Sequence, residues 1–328
     1  MTARTTDVTA LTPRAVDAPA IERELARLWR AAQAPEAQQP LTRACMSNLI
    51  VFCTARSAAQ RLSQEIAAVV QRHPARVLLL VAGVSDLLSD IEAYVSAQCH
   101  LAAGGRQVCS EHVTIAVGAG GTRRLPSIAR ALLIGDLPTS LWWATNEVPL
   151  HEGTVFDELA AMAQQVIYDS AGWPDVVNEL VGTARWALSA GRDRVVTDLA
   201  WRRLSPWRSL IGQSLDPIVV PKALDRITKV VVEHGPHGLP QACFLVGWLA
   251  SCLGWQSVGG TMEPGTKLLW RFDTPSGAVR ATLRRLDAGE AEVHSVHISW
   301  VRDGRPASAC FERLAPERLA VRGDAAVP

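Results

Sequence analysis

Residues 48–53 read Asn48-Leu49-Ile50-Val51-Phe52-Cys53 and residues 77–81 read Val77-Leu78-Leu79-Leu80-Val81, two apolar runs of strand length. A strand that is apolar on both faces is buried on both faces, as in a parallel sheet. Between the runs, Leu62, Ile66, Val69 and Val70 fall on one stripe of a helix. Ser57 stands where a capping residue is expected. His73-Pro74 ends the segment, because the residue before a proline is pushed out of the helical region. Strand, helix and strand with short joints form a βαβ unit and predict a parallel pair.

The same alternation continues in both directions. Upstream, Ile21, Leu25, Leu28 and Trp29 give residues 21–33 one apolar helical face, and APEAQQP follows as a linker. Downstream, strands are predicted near 112–117, 140–145, 166–168 and 195–199. Helices are predicted over 127–133, 156–165, 176–190 and 204–215. After residue 218 the pattern changes. A strand at 226–233 and a buried helix at 239–253 precede four short strands, and the turn signals PSG, DAGE and DGRP separate those strands. The expected fold is α/β: a layered N-terminal domain with a mixed, largely parallel sheet over residues 21–218, then a smaller α+β domain with an antiparallel meander over 219–314. Residues 1–20 read as a disordered arm and 315–328 as a tail.

Composition excludes several classes. Lys and Arg total 33 against 32 Asp and Glu, a net charge of +1, so there is no basic excess of the kind a dedicated nucleic-acid binder carries. No apolar run is long enough to cross a membrane as a helix, and the N-terminus has no secretory apolar core. The expected location is therefore the cytoplasm. Seven cysteines, mostly inside apolar runs, read as buried reduced thiols.

Motifs for chemistry are weak. The loop after the first βαβ strand, Thr54-Ala55-Arg56-Ser57, lacks the glycines of a dinucleotide fingerprint. Cys99-His100 and Cys109-x-x-His112 imitate a zinc pattern, but on a strand positions i and i+3 face opposite ways. The same parity separates His294 from His297. Ser110-Glu111-His112 is a triad in name only, since triads assemble in space. No catalytic residue, metal ligand or cofactor is predicted. Two features remain. Gly118, Gly120, Gly121, Arg123 and Arg124 follow a strand and precede a helix, where backbone N–H groups can hold an anion. Trp201, Arg202, Arg203, Trp207 and Arg208 form a basic-aromatic segment, which suits an acidic partner surface as well as it suits packing.

Several stretches, taken in order and spacing, resemble one family: RACMSNLIVFC, HPARVLLL, CSEHVTIAVG, DLPTSLWWA, VIYDS and DLAWRRLSPWRSLI, across residues 20–314. They are similar to the OpcA family of glucose-6-phosphate dehydrogenase assembly proteins. The resemblance implies a non-catalytic protein that binds the oligomeric dehydrogenase and activates it, feeding the oxidative pentose phosphate pathway and NADPH supply. It implies no catalytic residues. The expected contacts with that partner are Trp143, Trp201, Arg202, Trp207 and Arg208, with no nucleic acid and no membrane involved. Two rivals are an enzyme or sensor of a sugar phosphate using the loop at 118–124, and a redox switch at Cys99 and Cys109. DLPTSLWW places Trp142 and Trp143 on opposite faces of a strand. One is expected in the core and the other under a helix of this chain.

Overall fold

The computed structural model describes residues 4–10, 17–32, 41–87, 90–101, 107–191, 193–263, 267–316 and 318–325. The linker at 34–40 and the ends of the arm and tail lie outside them. The chain divides into two compact units, Met1–Asp169 with Thr183–Thr197, and Ser170–Gly182 with Asp198–Pro328.

In the first unit β1 (Arg4–Ala10), α1 (Ala18–Ala32) and β2 (Leu41–Arg43) precede the βαβ unit. That unit is β3 (Ser47–Thr54), α2 (Arg56–Arg72) and β4 (Ala75–Ala82). β5 (Ile91–Leu101), β6 (Gln107–Val117), α3 (Leu125–Leu132), β7 (Thr139–Trp143), α4 (Thr154–Ala160) and β8 (Gln165–Tyr168) follow. α5 (Val176–Ser189), which the unit boundary divides, leads to β9 (Val195–Asp198). The sheet order is β1-β5-β6-β4-β3-β7-β8-β9, with β2 also pairing β6. β6, β4, β3, β7 and β8 pair in parallel, while β1–β5 and β5–β6 are antiparallel. The order reverses between β3 and β7, as it does in a doubly wound dinucleotide fold.

Three local expectations change. Residues 4–10 of the arm run as an edge strand on β5. α2 starts at Arg56 with Ala55 in the N-cap position and no side-chain cap, so Ser57 does not cap it, and Val69 turns outward. Cys99 and Cys109 are joined in a disulfide, because they sit directly opposite each other on the β5–β6 ladder. The other cysteines are free thiols, and burial pushes Cys53 and Cys243 each up to about 12.

The second unit contains α6 (Leu199–Arg203) and α7 (Ser205–Ser214), ahead of β10 (Ile227–His234) and α8 (Leu239–Leu253). Gly254 ends α8 in the left-handed region at φ +67°. The strands β11 (Gln256–Glu263), β12 (Lys267–Thr274), β13 (Gly277–Arg285), β14 (Val293–Arg302), β15 (Arg305–Ala315) and β16 (Arg318–Gly323) complete the order β11-β12-β13-β10-β14-β15-β16. All pairs are antiparallel except β10–β13, because β10 inserts itself into the middle of the meander. The expected boundary at 218 moves to 198. Leu204, Trp207, Ile211 and Leu215 are buried in the core that also holds β10, β14 and α8, so burial ties α6 and α7 to this sheet.

Candidate functional site

The place to look for a ligand in a doubly wound sheet is the crevice at the carboxyl ends of the strands where the order reverses. Here it lies beyond β3 and β7. Ala55 leaves β3 at φ +71°, a left-handed conformation that a glycine adopts without strain. Arg56 then begins α2, and its guanidinium reaches Asp86 at 3.0 Å and Glu92 at 2.6 Å. Tyr94 donates its hydroxyl to the same Glu92 at 2.8 Å. The bond to Glu92 raises the Arg56 guanidinium above its usual value and raises the Tyr94 hydroxyl as well. The turn that carries a pyrophosphate in a dinucleotide-binding protein therefore carries a cation already held by two carboxylates.

At the end of β7 both tryptophans are covered by the chain itself. Trp143 is 1% exposed and stacks on Phe52 at 4.1 Å, with an interplanar angle of 6°. It meets Phe156 of α4 edge-on at 5.2 Å and donates Nε1 to the Glu147 carbonyl at 3.1 Å. Trp142 points to the other face, half-buried against the cluster of Leu62, Ile66 and Val70 on α2. Trp143 is thus a core residue and has no surface to offer a partner.

The glycine-rich loop folds as a 3-10 turn over Ala119–Arg124. Gly121 donates its N–H to the Gly118 carbonyl at 2.9 Å, so that group is already spent. A Cβ on Gly121 would stand 2.9 Å from Val117 Cβ, which gives this glycine a packing role. Gly118, Gly120, Gly121 and Arg124 line a shallow hollow of about 570 Å³ together with Asp90, whose carboxylate weakens any hold on an anion. Arg123 and Arg124 are exposed.

The basic-aromatic segment divides. Trp207 is fully buried, with Arg313 5.8 Å from its ring centroid, and it leaves the candidate surface as Trp143 does. Trp201 is half-buried, edge-on to Phe244 of α8 at 6.3 Å. Arg208 lies over the Trp201 ring at 3.6 Å and donates to the Trp201 carbonyl at 2.9 Å. Burial and the neighbouring Arg202 charge push the Arg208 guanidinium below its usual value. Arg202 is exposed.

One cluster is absent from the sequence expectations. Glu111, fully buried, accepts from Trp29 Nε1 at 2.7 Å, from Arg76 Nε at 2.7 Å and from Arg43 Nε at 2.8 Å. Arg76 also pairs with Glu22 and donates to the Leu132 carbonyl. Beside it, Trp29 packs on the Cys99–Cys109 disulfide. His112 points to the opposite face of β6, where full burial lowers it to about 4 and Gln98 Nε2 stands 3.2 Å from Nδ1. Ser110, Glu111 and His112 therefore form no triad. Among the described residues, no three His, Cys, Asp or Glu side chains converge as metal ligands. A buried Glu at the centre of a strand was the available signal, since such a group needs cationic partners.

Residues 64–185 match a family described as the glucose-6-phosphate dehydrogenase subunit N-terminal domain, and residues 194–318 match its C-terminal domain counterpart; both are OpcA families. The chain belongs to the OpcA family. An OxPP cycle protein OpcA from Nostoc punctiforme is 32% identical over 251 residues, 75% of this chain and 50% of that protein. An OpcA from Synechocystis is 26% identical over 195 residues, 59% of this chain and 40% of that protein. The chain thus spans about half the length of the curated OpcA relatives it matches. Among solved structures, an oxidoreductase from Sinorhizobium meliloti aligns with a TM-score of 0.48 at 9% identity, over 85% of this chain and 76% of that one. At that score the likeness carries no argument about function. Among the described residues, no helix is long and apolar enough to cross a membrane.

Proposed function

We propose that this chain is a non-catalytic cytoplasmic factor that binds glucose-6-phosphate dehydrogenase and favours its active, high-affinity state. The observation that carries the partner is the pair of consecutive OpcA matches, both described by that dehydrogenase. The crevice supports the non-catalytic part of the reading: Arg56, Glu92 and Asp86 occupy the turn where a dinucleotide fold places its phosphates. An activator shifts its target only by binding one state better than another. A tenfold gain in substrate affinity requires about 1.4 kcal/mol of differential binding, the contribution of one or two contacts.

The test is dehydrogenase activity against glucose 6-phosphate, with and without this chain, using the enzyme of the same organism. The expected result is co-elution with a lowered KM or a raised kcat. Unchanged kinetics without co-elution would refute the reading. Of the expected contacts, Trp201, Arg202 and Arg208 retain exposed surface, and Arg202→Glu is the variant that asks whether their side of the unit takes part.

A further inference from the structure

The sheet of the second unit is covered on one face by α8 and, among the described residues, open on the other. On β13, Val279, Ala281 and Leu283 are buried, while Arg280 and Arg284 are exposed and Thr282 half-buried. The registers line up the outward residues across strands. In one row Arg271 faces Arg280, Arg280 faces Lys229, and Lys229 faces Ser299. In the next, Leu269 faces Thr282, which faces Val231, which faces His297. In the third, Lys267 faces Arg284 and Arg284 faces Glu233.

The rows differ in how their charge is met. In the third, Arg284 is paired with Glu233, and Lys267 lies 3.7 Å from Glu263. In the first, three cations stand directly abreast, and among the described residues none of them has an ion pair. The nearest acid on that face of β12 is the exposed Asp273, two residues beyond Arg271. Like charges placed directly opposite on a ladder destabilise it, so folding gains nothing from this row. The half-buried Leu269, Thr282 and Val231 run beside it as the floor of a shallow basin of about 1080 Å³.

We propose that this open face is the docking surface for the chain's protein partner, and that the partner meets the Arg271-Arg280-Lys229 row with carboxylates. The identity of that partner as the dehydrogenase rests on the function proposed above; the placement rests on the registers. Seven strands of about eight residues, with six spacings between them, span roughly 29 Å by 26 Å, close to the ~800 Å² per partner of a stable interface. A flat face with an apolar strip beside uncompensated cations is complementary to an acidic protein surface. A second copy of the chain brings the same excess of cations. α6, with Trp201 and Arg202, packs on α8 and so lies on the other side of this sheet.

The experiment titrates the dehydrogenase against the full chain and against Arg271→Glu combined with Arg280→Glu, with Arg202→Glu as a comparison. Affinity is expected to fall more than tenfold for the double variant, with little change for Arg202→Glu, and wild-type binding is expected to weaken steeply with salt. An unchanged melting temperature certifies the fold of the double variant, and Lys229→Gln repeats the test with a milder change. If the wild type binds and the double variant binds equally well, the placement is overturned while the proposed function stands. Loss of binding in Arg202→Glu alone moves the surface to the α8 side and also overturns it. A wild type that self-associates through these residues assigns the face to a second copy and overturns the acidic partner. If the wild type does not bind at all, the proposed function itself has failed.

Discussion

β4 and β13 are interior strands of the two sheets and are built on opposite rules. Every residue of β4 is buried, Arg76 included, whereas β13 buries only Val279, Ala281 and Leu283. A polar group inside the first sheet must therefore be answered within the chain: Arg76 by Glu111 and Glu22, Asn48 by the Ile134 carbonyl and Thr139. A polar group on the outer face of the second sheet can stay unanswered. Charge is architecture in the first sheet and is left over for recognition in the second.

The sharpest break of this contrast is Glu111→Ala. It takes from the buried Arg76 its one fully buried carboxylate, leaving Glu22 and the Leu132 carbonyl, and removes the acceptor of Trp29. It is expected to cost about 3 kcal/mol in urea unfolding, and a cost well below that would mean that Glu22 or water answers Arg76 alone. Trp143→Ala is expected to cost about 3–5 kcal/mol, whereas Trp201→Ala, half-exposed under Arg208, costs about 1 kcal/mol or less. Equal losses would remove the distinction between core and surface tryptophans. Cys99→Ser combined with Cys109→Ser, or thorough reduction, is expected to remove roughly 2–3 kcal/mol for a link across a separation of 10 residues, seen as a lower melting temperature.

His112 gives the contrast a pH dependence. Its folded value is lowered from 6.5 to about 4 by burial, so between those limits the unfolded chain binds a proton that the folded chain refuses. Its contribution is complete above pH 6.5 and is lost as pH falls toward 4. His234 in the second unit is lowered as well and acts with the same sign. Unfolding midpoints at pH 7 and pH 5 should therefore converge in His112→Gln relative to wild type, and an unchanged gap would assign the effect elsewhere. The smallest effect belongs to the open sheet. Arg280→Thr relieves two like-charge neighbours and is expected to change stability by about 0.5 kcal/mol or less, with no loss. A large loss there would show that the cation row supports the fold after all.

The sequence disclosed the elements whose burial is simple. The apolar runs before and after α2 set the parallel pair, Gly254 marked the end of α8, and the turn residues separated the last strands. β5 escaped notice although Ile91, Ala93, Val95, Ala97 and Cys99 alternate with polar neighbours; alanine and cysteine make a faint apolar face. The disulfide escaped with it, since the pairing of Cys99 with Cys109 depends on that hairpin. Trp143 and Trp207 looked like surface residues because a tryptophan beside polar neighbours reads the same in either place. Which face of a one-sided sheet lacks a cover depends on where β10 inserts, and no local pattern carries that.

α1 is held by partners that the ribosome has not yet made when α1 emerges. Glu111, which accepts from Trp29, lies 82 residues further along, and Arg76, which pairs with Glu22, lies 54 residues further. At a synthesis rate of about 5–20 residues per second, Ile21, Leu25 and Trp29 face water for roughly 4–16 s before their seat exists. α1 therefore cannot dock until residue 111 has been made, and for that interval its apolar stripe of Ile21, Leu25 and Trp29 stays without its seat.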